Sequence, residues 1–157
     1  MTLTIDDLTK DITKVDLDDI LSCWQWLLVD MKTVALISCM GDLFLIGKDY
    51  SIYWLATDTG SLSKVADSLE QFKQQLTDEN QVDIWFHPQL VGQLIIAGKI
   101  LKENEVYSYK IQPVIGGDYS IDNIERTDIS VHFAFSGQIC EQIKDLPDRT
   151  KVNIKFK

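Results

Sequence analysis

Few residues in this sequence could do chemistry, and their spacing is poor for it. The chain has two histidines, His87 and His132, and three cysteines, Cys23, Cys39 and Cys140. Neither histidine has a second histidine or a cysteine at a metal-ligand spacing, so no metal site is expected. The cysteines are odd in number, far apart and without a Cys-x-x-Cys pair, which suits a reducing compartment and small buried apolar residues at Cys23 and Cys39. Asp58-Thr59-Gly60 has the form of an aspartic-protease motif. It stands once, however, and that chemistry needs two carboxylates sharing a proton. Asp and Gly are also the residues a turn requires. Gly116-Gly117 could present backbone N–H groups to a phosphate, but no helix and lysine follow, so a tight turn is the better reading. There is no nucleophile elbow, Walker loop or dinucleotide fingerprint. No catalytic residue and no cofactor are expected.

The elements that would position these residues read as α+β. Gly41 to Gly60 holds two apolar, aromatic-rich runs, Leu43–Ile46 and Ile52–Ala56, around a Gly-Lys-Asp-Tyr-Ser break. That pattern predicts an antiparallel hairpin. Val34 to Met40 is a strand candidate before it. Thr4 opens a short helix carrying Leu8 and Ile12. Asp16 caps a second, with Leu17, Ile20, Leu21, Trp24, Leu27 and Leu28 on one stripe. Ser61 or Ser63 is expected to cap a helix carrying Leu62, Val65, Leu69, Phe72 and Leu76. Val82–Phe86 is ambiguous. Pro88 suits the first turn of a helix carrying Leu90, Val91, Leu94 and Ile95. Strands are expected at Val106–Ile111, Ile129–Phe135 and Val152–Phe156, with a bend at Pro113 to Asp118 and a short helix at 137–143. On this reading His132 points to one face of a strand as a structural, solvent-facing or hydrogen-bonded residue. His87 is a capping or surface group. Strands and helices do not alternate regularly, so a single domain with a β-meander packed on several helices fits better than a doubly wound sheet.

At 157 residues, 45% apolar and 25% charged, the chain can bury a core and is not expected to be disordered. Its formal charge is −9. Nucleic-acid phosphates and anionic membranes repel such a surface, and a basic protein attracts it. Residues 1–30 carry seven acids and two bases, a net −5. Asp6, Asp7, Asp11, Asp18 and Asp19, with Trp26 off the apolar stripe, are the candidate partner-binding residues. An acidic face that only keeps the protein soluble is the plainer alternative. The N-terminus is acidic and amphipathic, which predicts no secretory leader and a cytoplasmic protein.

The chain resembles a bacterial family, the C-terminal domain of immunity proteins against type VI secretion DNase effectors, often found after a GAD-like domain. Gly41-Asp42-Leu43-Phe44, Ser51-Ile52-Tyr53-Trp54-Leu55, Asp58-Thr59-Gly60 and Val65 to Phe72 carry the resemblance. So do Pro113, Gly116-Gly117-Asp118-Tyr119, Asn123, Val131-His132, Gly137-Gln138-Ile139 and Leu146-Pro147. It spans roughly residues 30–155. It implies that residues 31–157 form an immunity-type α+β domain that binds a cognate toxin without catalysis. Residues 1–30 would then be an acidic helical segment, a shortened remnant of the GAD-like domain. Gly41, Asp42, Trp54, Gly60, Pro113, Gly116, Gly117 and His132 look like fold-making positions. A regulatory protein-binding module and a small-molecule-binding domain are the other readings.

Overall fold

The computed structural model describes residues 2–157. Among these residues, seven strands and five α-helices form a single α+β domain. Strand β1 (Thr9–Lys10), β2 (Met31–Ser38), β3 (Leu43–Gly47), β4 (Ile52–Ala56) and β5 (Ser61–Ala66) make an antiparallel meander in chain order. Strands β6 (Glu105–Tyr109) and β7 (Ile124–Asp128) form a separate antiparallel pair. One backbone bond, from Tyr107 N–H to the Cys39 carbonyl at 2.7 Å, ties the pair to the end of β2. The helices are α1 (Leu17–Leu21), α2 (Leu69–Gln75), α3 (Glu79–Phe86), α4 (Pro88–Ile96) and α5 (Ile129–Ile143).

The strand β3 explains the layering. Its side chains alternate between faces, as a pleated strand requires. Leu43 and Leu45 join one cluster with Ile20, Trp24, Leu55, Val106, Ile129 and Phe133. Phe44 joins the other, with Phe72, Trp85, Phe86, Val91 and Leu94. Helices α1 and α5 therefore cover one face of the meander, and α2, α3 and α4 cover the other. This is why Leu43–Ile46 is apolar throughout rather than alternating. Phe44 is the centre of the second cluster, with Phe72, Trp85 and Phe86 rings 5.0, 5.2 and 5.5 Å away.

The expected hairpin forms with the expected bounds, and Asp16 caps α1 by accepting the Asp19 N–H. Pro88 is at the start of α4. Five expectations fail. The helix expected to carry Leu17 through Leu28 ends at Leu21, and a 3₁₀ turn, Ser22–Trp24, follows it. The N-terminal helix is a pair of 3₁₀ turns, Asp6–Leu8 and Ile12–Lys14, around the two-residue β1. Ser61 and Ser63 lie in β5, because the turn after β4 folds the chain back to pair with it. Ser68 caps α2 instead, by accepting the Gln71 N–H. Ile129–Phe135 is the first half of α5, and its alternating pattern yields to Asp128, which accepts from the Ser130 and Val131 N–H groups. Val152–Phe156 has no regular secondary structure and joins no sheet.

Candidate functional site

Two places collect the residues singled out by the sequence: a closed polar knot inside the domain and the charged surface around its N-terminal segment.

The knot forms where the β2–β3 turn, the β4–β5 turn, β6 and α5 meet. Gly41 has φ 78°, a left-handed conformation open to glycine, and a side chain there would overlap the His132 ring. That close approach lets the Gly41 carbonyl accept from His132 Nε2 at 2.8 Å. A carbonyl only accepts, so Nε2 carries the proton and Nδ1 accepts the Ser108 hydroxyl at 2.7 Å. Thr57 Oγ1 lies 3.2 Å from Nε2 and 2.8 Å from the Gly41 carbonyl, so its one proton is shared between that carbonyl and Asp42. Asp42 accepts three donors: Thr57 N–H at 2.9 Å, Thr57 O–H at 3.1 Å and Trp54 Nε1–H at 3.1 Å.

His132 is 2% exposed and Asp42 6%. Burial holds His132 down at about 4, opposed by its bond to the Gly41 carbonyl. Burial, with help from the Asp58 charge, pushes Asp42 up to about 7, while the Thr57 and Trp54 donors pull the other way. The Ser108–His132–Thr57–Asp42 chain resembles a catalytic relay in composition. Its geometry differs, because the four residues are buried and bonded to other protein groups, and none of them lines the Trp26 groove. Such a network fixes how two turns, a strand and a helix dock. His132 is thus hydrogen-bonded as expected, but from the buried side of a helix rather than from a strand.

Asp58 lies in the turn after β4 and accepts the Tyr119 hydroxyl at 2.9 Å. No hydrogen bond joins Asp58 to Asp42 among the described residues, so they do not share a proton. Gly60 (φ 73°) packs against Cys140, whose thiol burial pushes up to about 12. Pro113 starts a 3₁₀ turn that ends at Gly116 (φ 105°), and Gly117 lies against the Ile111 carbonyl. Asp118 is exposed and accepts from Ser120. His87 is exposed, has φ 50°, and joins α3 to α4 without a side-chain cap bond. Of the cysteines, Cys39 and Cys140 are buried and Cys23 is half-buried; all are free thiols. No group of three or more His, Cys, Asp or Glu among the described residues is placed to hold a metal.

The candidate acids are spread over three short elements. Asp6 and Asp7 lie in the turn before β1. Asp7 is occupied by both the N–H and the hydroxyl of Thr4, and Asp11 by those of Thr13. These bonds hold both carboxyls below the usual range. Asp18 and Asp19 open α1, where Asp19 accepts the Ser130 hydroxyl from α5. Asp6 and Asp18 have no side-chain hydrogen bond among the described residues. Trp26 lies elsewhere. It stacks on the fully buried Trp24 at 5.6 Å, donates Nε1–H to the Cys23 carbonyl and has Lys144 Nζ 5.4 Å from its ring. It lines an open groove of about 610 Å³ with Gly60, Val114, Cys140, Lys144 and Arg149. None of the six candidate residues hydrogen-bonds another among the described residues. The signal missed in the sequence is Lys144, one turn past Cys140 at the end of α5, which gives the groove a cation beside an aromatic ring.

No helix among the described residues is long and apolar enough to cross a membrane. Residues 66–140 match the family model described as T6SS immunity protein Tdi1, C-terminal. The family resemblance read from the sequence holds over that stretch; the Gly41–Gly60 motifs precede it. No curated protein matches the chain. Among solved structures, the chain is similar to "Crystal structure of Atu4351 from Agrobacterium tumefaciens", with a TM-score of 0.53 and 15% identity. The likeness covers 79% of this chain and 65% of that one, so this chain spans about two thirds of that structure's length. At that identity it supports the α+β fold alone.

Proposed function

We propose that this chain is an immunity protein that binds and neutralises a secreted toxin and does no catalysis of its own. The observation that carries the reading is the immunity-family match over residues 66–140. The polar knot supports it, since the one buried histidine and the one buried aspartate are spent on holding turns and a helix together. We take the whole chain as one compact unit, with residues 1–30 as an acidic segment folded onto the immunity domain at 31–157. The toxin is a basic nuclease in this reading. An acidic inhibitor associates quickly with such a partner, and its carboxylates stand in for nucleic-acid phosphates. Asp6 and Asp18, the two candidate acids without side-chain hydrogen bonds, are the ones free to do this. The protein works in the cytoplasm, where an arriving nuclease would act, and binds neither nucleic acid nor membrane.

The test is complex formation with the effector encoded beside this chain, followed by nuclease assay of the complex. A stable complex that has lost nuclease activity is expected. No complex at micromolar concentrations and low salt would overturn the pairing. If the complex forms but the toxin stays active, the second reading stands, a protein-binding module with a regulatory task.

A further inference from the structure

The groove beside Trp26 is bounded by three parts of the fold. Trp26 lies in the turn before β2, Ile115 and Gly116 in the turn that Pro113 starts, and Lys144 to Val152 at the end of α5 and just beyond it. Its volume of about 610 Å³ is that of a site for a small ligand, for which about 300–1,000 Å³ is usual. Much of its apolar lining is left in water. Ile115, Leu146 and Val152 are 38%, 42% and 39% exposed. A Cβ added at Gly116, on the same lining, would meet nothing within 4 Å.

The neutral polar groups of the lining are already spent. Trp26 Nε1–H donates to the Cys23 carbonyl, so the indole offers the groove an apolar surface. The Thr59 hydroxyl is bonded to that of Ser61, and the Thr150 hydroxyl to the Pro147 carbonyl. The charged groups are not spent. Lys144, Arg149 and Asp148 line the groove. The one ion pair among the described residues joins Lys64 to Asp67, so none of these three has a partner of opposite charge. Two cations against one acid leave the lining net positive in a chain of net charge −9. Lys144 Nζ is 5.4 Å from the centre of the Trp26 ring. Arg149 has φ 64°, in a turn closed by the Thr150 N–H on the Pro147 carbonyl. That conformation is uncommon outside glycine, so Arg149 is held on the groove at a conformational cost.

We propose that this groove binds a small organic anion. Its apolar body would lie against Trp26, Ile115, Leu146 and Val152, and its carboxylate, sulfonate or phosphate would be held by Lys144 and Arg149. Mostly apolar walls with a few polar groups that fix orientation are the usual make-up of a ligand site. Ionised donors on an ionised acceptor make the strong hydrogen bonds. Larger partners fit less well. The −9 charge of the whole chain repels a nucleic acid or an acidic protein, whereas a small anion feels chiefly the cations within a Debye length, ~10 Å at 0.1 M salt. A basic toxin would meet Lys144 and Arg149 as like charges. The site is therefore independent of the toxin reading.

Fluorescence titration of the full chain with anilinonaphthalene sulfonate tests it, because that probe joins an aromatic body to one anion. Saturable binding to one site at micromolar concentrations is expected, with NMR shifts centred on the Trp26 indole and on Ile115, Lys144 and Arg149. Phenylnaphthylamine, the same body without the sulfonate, should bind roughly tenfold more weakly. Lys144→Gln and Arg149→Gln should each weaken the sulfonate by roughly tenfold and leave the neutral probe unchanged. Ile115→Asp should weaken both probes, with an unchanged circular dichroism spectrum. No saturable binding below millimolar concentrations overturns the proposal. So do equal affinities for the two probes, glutamine variants that bind the sulfonate like the parent, or shifts centred elsewhere, such as on Phe135 and Phe156.

Discussion

Asp42 and Asp18 are the same residue type in opposite roles. Asp42 is enclosed by Thr57 and Trp54 and sits in the same knot as His132. Asp18 is exposed in the first turn of α1 with no side-chain bond among the described residues. In the knot, each polar atom acts on the fold, because an unmet partner there would be left without water. On the acidic fringe, charge acts on what approaches, and the fold barely registers it. The contrast separates residues whose loss should unfold the protein from those whose loss should only slow a partner.

The sharpest way to break that contrast is His132→Ala. It would leave the buried Ser108 hydroxyl without a partner and the Gly41 carbonyl with the Thr57 hydroxyl alone, and open a cavity, costing ~3–5 kcal/mol of stability. Thermal unfolding should fall by roughly 2–4 °C per kcal/mol lost. A melting point within a degree or two of the parent would mean that the knot is not what docks α5. Asp42→Asn comes next, at ~2–3 kcal/mol, since an amide cannot accept from both Thr57 and Trp54 without presenting its own N–H groups to one of them.

The pH dependence sharpens the comparison within the knot itself. His132 sits at about 4 in the fold against 6.5 ordinarily. The unfolded chain binds its proton first, so this group removes stability as pH falls from about 6.5 to about 4. Asp42 sits at about 7 against 3.8. The folded state binds that proton first, so this group removes stability as pH rises from about 3.8 to about 7. The two slopes oppose one another between pH 4 and 6.5, and the parent should be nearly flat there. Asp42→Asn removes one slope and unmasks the other. Its stability should then drop by ~3 kcal/mol between pH 6.5 and 4, which denaturant titration at several pH values would detect. Equal slopes in parent and variant would refute the assignment.

The smallest structural effects belong to the fringe. Asp6→Asn with Asp18→Asn should change stability by less than about 0.5 kcal/mol. It should, however, lower the association rate with the toxin and flatten its salt dependence. An unchanged rate would place the contact surface elsewhere.

How much was legible follows the same division. The Gly41–Gly60 hairpin could be read because its turns and β-rich runs are local signals, and Asp16 could be read as a cap for the same reason. Ser61–Ala66 was misread because a helical stripe through Leu62, Val65 and Leu69 also exists there. The deciding fact was non-local: β4 offered a free edge to pair. Ile129–Phe135 alternates like a strand, yet Asp128 caps it as a helix. Gly137, where a side chain would meet the Cys23 carbonyl, lets that helix press onto the turn before Trp24. The knot was invisible for the same reason. Gly41, Thr57, Ser108 and His132 are distant in sequence, and only folding brings them together.

The most direct test of the central claim, neutralisation by binding, is a stoichiometric titration. Increasing amounts of this chain are added to a fixed amount of toxin, and the remaining toxin activity is measured. Activity should fall in proportion and reach its floor at one chain per toxin. Full protection by far less than an equimolar amount would mean that one chain disarms many toxins in turn, and this protein would be an enzyme after all.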